Sequence, residues 1–172
     1  QLYKIIEIKT KEDTFMILIE EYCSKGNLLD YALNHKDITD EEKRKISRGV
    51  TEAVSELHRC GIAHSDIKPE NILLTSNNDP KLCDFNLSKF IEKANNFERG
   101  GSKPYAAPEL FKFGDVDFLR ADIWSLGGTL FSYSASRYPY IDAEDAKKGL
   151  LIINSQDKKL NAFTRRCLKI NP

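Results

Sequence analysis

The chain has 172 residues, 41% apolar and 30% charged, which is enough to bury one hydrophobic core and is ordinary for a globular domain. Lysine plus arginine match aspartate plus glutamate at 26 each, so no charge excess points to a nucleic-acid or anionic-membrane partner. No apolar run approaches the roughly 18–20 residues of a membrane span, and no signal-peptide pattern opens the sequence.

In chain order, residues 2–8 (LYKIIEI) and 14–19 (TFMILI) flank the charged turn KTKED and predict two antiparallel strands. A polar connector runs from Glu20 to Asn27 and carries Gly26, and a short helix follows over 28–35. Thr39 and Glu42 have capping-box spacing. Behind them Ile46, Val50, Ala53, Val54 and Leu57 recur at helical intervals, which predicts an amphipathic helix over 40–59 with Gly61 as its terminator. The charges of EEKRK (41–45) read as its solvated face.

Residues 72–74 and 81–83 flank the turn-rich TSNNDP and predict a hairpin. From Ser88 to Lys103 the chain is polar and aperiodic, a long loop. Residues 121–135 are apolar nearly all round, as in a helix buried on every side, with Trp124 as core and the Gly127-Gly128 pair marking close backbone packing. Two more helices are expected near 143–153 and 157–169. Cys23, Cys60, Cys83 and Cys167 are widely spaced without a C-x-x-C pair, and three histidines are scattered. They read as free thiols in a reducing, cytosolic or nuclear compartment, with no zinc site.

The stretch that organises the rest is HSDIKPENILL, residues 64–74. A carboxylate five residues before a carboxamide suits phosphoryl transfer: Asp66 can accept the proton of an attacking hydroxyl, and the amide oxygen of Asn71 can help hold magnesium. Taken alone, Asp66, Lys68 and Pro69 would equally suit an ordinary turn, and Asp84 before Phe85 a strand-end turn. Three further blocks follow in order: CDFN (83–86), GSKPYAAPE (101–109) and ADIWSLG (121–127).

These four blocks resemble the large, mostly helical lobe of eukaryotic-type Ser/Thr protein kinases, and the likeness covers nearly all of the chain. The implied fold is mainly α (α+β), a kinase-like large lobe with two N-terminal antiparallel strands and small hairpins around the catalytic loop. Residues 1–19 would be the last strands of the small lobe, 20–27 the hinge and 28–172 the large lobe. The implied function is Ser/Thr protein kinase, transferring the γ-phosphoryl group of MgATP to protein hydroxyls. The alternative is a pseudokinase-like scaffold or binding module.

Position by position, Asp66 resembles the catalytic base, Lys68 the lysine at the transferred phosphate, and Asn71 and Asp84 the magnesium ligands. Glu21 to Cys23 resemble the hinge, and Leu73 would pack beneath adenine. His64, Phe85 and Ile5 match packing positions behind the site, with His64 a core histidine rather than a base. Ser102 matches the hydroxyl of the substrate loop, Glu109 the A-P-E glutamate, and Asp122 the buried aspartate that holds the catalytic loop. Cys83 reads as a small buried residue, with a reactive thiol as the alternative. The resemblance implies ATP and Mg2+ as cofactors and a protein bearing Ser or Thr as partner.

Several departures qualify the likeness. Ser65 stands where the family has an arginine that pairs with a phosphorylated activation loop, and Ser88 and Ser102 are the only Ser/Thr side chains between Asp84 and Glu109. Activity independent of loop phosphorylation is the expectation. Asn86 replaces the glycine of D-F-G, and asparagine suits a left-handed turn there. Glu20 falls at the gatekeeper, where a carboxylate would need a partner or water. The sequence has no G-x-G-x-x-G loop and no V-A-I-K lysine. With its start on Gln1 and its end on Asn171-Pro172, it reads as a piece of a longer kinase, inactive by itself.

Overall fold

The structure is a computed structural model, and it describes residues 1–93, 99–111, 114–140, 145, 148, 152–153 and 156–169. Strands β1 (Leu2–Lys9) and β2 (Thr14–Glu20) pair antiparallel, with Ile5 opposite Leu18 and Ile8 opposite Phe15. The connector leads into helix α1 (Leu28–Asn34), whose N-cap Asn27 accepts from Asp30 N at 2.8 Å.

Helix α2 (Asp40–Arg59) starts at the expected capping box: Thr39 Oγ1 accepts from Glu42 N, and Glu42 Oε2 accepts from Thr39 N. It ends where Gly61 turns left-handed at φ 69°. Strands β4 (Ile72–Leu74) and β5 (Pro80–Leu82) make the expected hairpin, with Leu73 opposite Lys81. Its turn is tied to the start of α2 by Asn78 Nδ2 to Glu42 Oε1 at 3.0 Å and by the Lys45–Asp79 pair at 2.9 Å.

The segment read as loop from residue 88 holds a short pairing instead. Strand β3 (Ile62–Ala63) pairs antiparallel with β6 (Lys89–Phe90), extended by Ile91 N to Gly61 O at 2.9 Å. Helix α3 (Phe118–Ala135) starts three residues before the expected one because Asp117 accepts from Arg120 N at 3.0 Å and caps it. Helix α4 (Lys158–Cys167) is capped by Asp157, and it lies within the expected span. The helix expected over 143–153 falls largely outside the described residues.

Helix α3 is apolar all round because it lies between two cores. On one side Leu126, Leu130 and Tyr133 meet Leu28, Ile46, Val50, Val54, Ile72 and Leu74 from α1, α2 and β4. On the other, Ala121, Trp124 and Phe131 meet Ala107, Leu110 and Leu168. Full burial of such a Leu or Phe side chain stabilises by about 1.5–3 kcal/mol, so α3 is the post on which the molecule is assembled. Gly127 permits the contact with α4: a Cβ there would lie 2.4 Å from that of Cys167. All four cysteines are free thiols. Among the described residues, no helix is long and apolar enough to cross a membrane.

Candidate active site

Two short ladders hold the ends of the loop 64–71. The β3–β6 pair fixes residues 62–63, and the β4–β5 pair fixes 72–74, extended by Cys83 N to Asn71 O at 3.0 Å. The middle is held from α3. Asp122, 1% exposed, accepts His64 N on Oδ2 at 2.6 Å and Ser65 N on Oδ1 at 2.8 Å. These bonds sit where Ser65 takes a left-handed backbone, φ 67°, which non-glycine residues rarely adopt. A third partner, His58 Nε2 near the end of α2, lies 3.0 Å from Asp122 Oδ2.

The next residue is Asp66, around which the polar groups converge. Its Oδ1 accepts Ser102 Oγ at 2.9 Å and Ser102 N at 3.0 Å, and Lys68 Nζ lies 2.8 Å from its Oδ2. Lys68 Nζ also donates to Ser102 Oγ at 2.8 Å. Burial pushes the Asp66 carboxyl up, but the bonds from Lys68 and Ser102 outweigh it and hold the carboxyl below its ordinary value. Burial likewise opposes the charge on Lys68, and its bond to Asp66 and the nearby negative charges, Asp84 among them, raise its pKa all the same. The site is therefore a charged pair, an ionised carboxylate beside an ammonium, with a hydroxyl in between.

Asn71 completes the cluster. Its Nδ2 donates to Asp66 O at 2.9 Å and to Asp66 Oδ2 at 3.0 Å, and no bond engages its Oδ1 among the described residues. Asp84 is exposed, one residue past Cys83, close enough for its charge to act on Lys68. An amide oxygen and a carboxylate beside this cluster are hard oxygen donors of the kind magnesium takes, in the small number it accepts when phosphates supply the rest. The donor set fits that ion. It is not a protein-only cage: no group of three or more His, Cys, Asp or Glu that could hold a metal occurs among the described residues.

His64 is fully used as a packing residue. Its Nε2 donates to Cys83 O at 3.0 Å, its Nδ1 accepts Asp66 N at 3.3 Å, and its ring meets Phe85 at 4.9 Å. The third expected packing partner, Ile5, instead lies on the exposed hairpin at 51% exposure. The left-handed residue of CDFN is Asp84, φ 61°, and not Asn86, which sits inside the 3-10 turn Phe85–Leu87. Asparagine therefore replaces glycine there with no backbone strain to relieve. Glu20 ends β2 exposed to solvent, so its carboxylate meets no burial penalty.

Half-buried Leu73 sits where β4 meets the connector: it bridges Asn27, while Leu74 N bonds Gly26 O at 2.9 Å and Lys25 N bonds Leu74 O at 3.1 Å. This pins the segment just after Glu21 and Cys23 against β4. Glu21 itself pairs with Lys81 at 3.2 Å. Burial pushes the Cys83 thiol up, helped by the negative charges of Asp84 and Glu20, so the thiol is less nucleophilic than a free one. Glu109 lies half-buried in the turn Pro108–Phe111. Sequence reasoning passed over His58. It carries no local signal, because its partner Asp122 is 64 residues away.

A carboxylate, a lysine and a carboxamide thus meet on a loop tied to one buried helix, in the arrangement that the motif spacing led one to expect. Comparison with known sequences agrees. A protein kinase domain model matches residues 1–171. The chain is 36% identical over 146 residues to the serine/threonine-protein kinase kin-29 of Caenorhabditis elegans, covering 80% of this chain and 16% of that protein. It is 37% identical to the maternal embryonic leucine zipper kinase of Xenopus laevis, covering 83% and 22%, and 37% identical to the probable serine/threonine-protein kinase MARK-C of Dictyostelium discoideum, covering 81% and 18%. The chain belongs to the protein kinase family. It spans 16–22% of the length of these curated relatives.

Proposed function

We propose that the protein transfers the γ-phosphoryl group of ATP to serine or threonine hydroxyls of a protein substrate. The observation that carries this reading is the bond from Ser102 Oγ to Asp66 Oδ1 at 2.9 Å, with Lys68 Nζ 2.8 Å from the same hydroxyl oxygen. Asp66 already receives an alcohol in the geometry an acceptor hydroxyl requires, and a cation stands where negative charge grows during transfer.

Asp66 orients the incoming hydroxyl and accepts its proton, and its depressed pKa keeps it ionised at neutral pH. Lys68 offsets charge on the transferred group. Asn71 holds Asp66 through its amide N–H groups, and its Oδ1 and the Asp84 carboxylate are the groups that would hold magnesium. That ion would supply neutralisation of the phosphate charge. Leu73 and the connector at Glu21 and Cys23 form the adenine side.

We read residues 1–19 as the end of a small lobe, 20–27 as its hinge and 28–172 as the large lobe, in an intracellular protein of cytoplasm or nucleus. The buried Ser65 carries no side-chain cation for a loop phosphate, which supports activity without loop phosphorylation. The test is transfer of labelled phosphate from MgATP to a generic basic protein by the protein at its natural length. Transfer that disappears in Asp84→Ala supports the kinase reading. No transfer in either, with no MgATP-dependent rise in Tm, turns the reading to a binding scaffold.

A further inference from the structure

We propose that Asn78 is a positioning residue for the nucleotide: its side-chain amide, held by Glu42 on α2, grips Lys25 and so fixes the turn in which the connector ends. The inference rests on the kinase reading only in what the connector is for, since that reading makes Glu21 and Cys23 the adenine side.

Three parts of the molecule meet on this one amide. Asn78 Oδ1 accepts Lys25 Nζ at 2.6 Å, and Asn78 Nδ2 donates to Glu42 Oε1 at 3.0 Å. An ammonium has only donors and a carboxylate only acceptors, so the amide has a single orientation between them. Lys25 lies 53 residues from Asn78 and Glu42 lies 36, so the contact joins the connector, the β4–β5 turn and the start of α2. The Glu42 carboxyl is held below its ordinary value, first by its bonds from Thr39 and, against burial, also by Asn78 and the charge of Lys25.

The amide is anchored before it reaches the connector. Asn78 is 8% exposed and takes the left-handed backbone at φ 64°, which asparagine adopts more readily than most residues. Its N–H bonds Thr75 O at 3.1 Å, while Thr75 Oγ1 accepts Asn77 N at 3.3 Å and Asp79 N at 3.1 Å. Lys25 belongs to the turn 23–26, closed by Gly26 N to Cys23 O at 3.2 Å. Its own N–H ties that turn to Leu74 O at the end of β4, and its Nζ also stands 5.4 Å from the ring centre of Tyr31 on α1. Backbone bonds thus join the turn to β4, and the Lys25 side chain joins it through Asn78 to α2. A connector already in place spares the nucleotide the cost of ordering it, a gain that shows in binding and not in the chemical step. Asp66, Lys68 and Asn71 are held by other contacts, so the two effects separate.

The experiment uses the protein at its natural length with Asn78→Gly, Asn78→Asp, Glu42→Gln and the Asp/Gln double variant. It reads kcat, KM for ATP, Tm, and amide hydrogen exchange at Lys25 and Gly26 without nucleotide, with the Cys83 amide as reference. Asn78→Gly keeps the left-handed turn and deletes the amide. It is expected to raise KM for ATP about 5- to 20-fold and to change kcat less than about twofold. Exchange at Lys25 and Gly26 should be about tenfold faster, with Cys83 unaffected. Asn78→Asp sets a carboxylate against Glu42 and behaves likewise. Glu42→Gln alone has little effect, because Gln also serves a capping box. Added to Asn78→Asp, it supplies an N–H in place of the repelling carboxylate and restores both KM and exchange, so the two substitutions are non-additive.

A normal KM for ATP in Asn78→Gly overturns the proposal, and so does normal exchange at Lys25. Faster exchange that extends to Cys83 also overturns it, because the amide then serves global stability alone. Should Asn78→Gly fail to fold, the double variant is compared with Asn78→Asp, and a double variant no better than the single one overturns the proposal. If the wild type transfers no phosphate, the kinase reading fails while the exchange comparison still decides whether Asn78 holds the connector.

Discussion

The hairpin β1–β2 and the loop 64–71 are opposites in composition and opposite again in burial. Strand β2 reads TFMILIE, yet all of it is exposed, and in β1 only Ile6 is half-buried. The loop reads HSDIKPEN, yet His64, Ser65, Asp66, Ile67, Pro69 and Asn71 are all buried. The hairpin keeps its shape by cross-strand pairing, which is marginal for two strands alone. The loop keeps its shape because the side chains of His64, Asp66 and Asn71 and the backbone N–H groups of His64 and Ser65 have partners, and leaving such a group unpaired costs about 1–3 kcal/mol. Apolar content alone therefore does not say where this chain is rigid. Completed hydrogen-bond sets on a buried post do.

The sharpest way to break that comparison is Asp122→Ala in the 172-residue chain. It strands the N–H groups of His64 and Ser65, and a loss of about 3 kcal/mol or more in unfolding free energy, read from a urea transition, is expected. Gly127→Ala attacks the post rather than the loop. Its Cβ would fall 2.4 Å from that of Cys167, and overpacking of this kind costs about 1–3 kcal/mol. Thr39→Ala removes the N-cap of α2 and should cost about 1 kcal/mol by the same measurement. Ile17→Thr, at a strand position that is 43% exposed, should change the unfolding free energy by less than about 0.5 kcal/mol. A large effect there would mean the hairpin is supported by more than its own pairing.

What was legible in the sequence follows the same division. Helix α2 announced itself through a capping box, an apolar period and a terminal glycine, and each feature is local. The stretch 121–135 showed that it was buried all round, although its cap at Asp117 went unnoticed among neighbouring polar residues. The β3–β6 pair was invisible, because two-residue strands have no period and their partners lie far apart in the chain. The motif residues Asp66, Lys68 and Asn71 could be named from spacing, and the structure brings them together with Ser102. Their local backbone could not be read so well. The left-handed turn lies at Asp84 rather than Asn86, and a one-residue shift of φ leaves no trace in composition. Glu20 looked costly only on the assumption that its surroundings were buried.

The grip of Asp122 on Ser65 also has a consequence in time. During synthesis the chain emerges from its N-terminus, at roughly 5–20 residues per second. Asp122 follows Ser65 by 57 residues, so roughly 3 to 11 s separate the two at that pace. Helix α2 and the β4–β5 hairpin can meet as soon as Asp79 and Pro80 have emerged, but the loop between them waits for α3. Through that interval the nascent chain carries Asp66 and Lys68 without the carboxylate that grips the backbone just before them, and the arrangement of the site is complete only after the post on which it is built has docked.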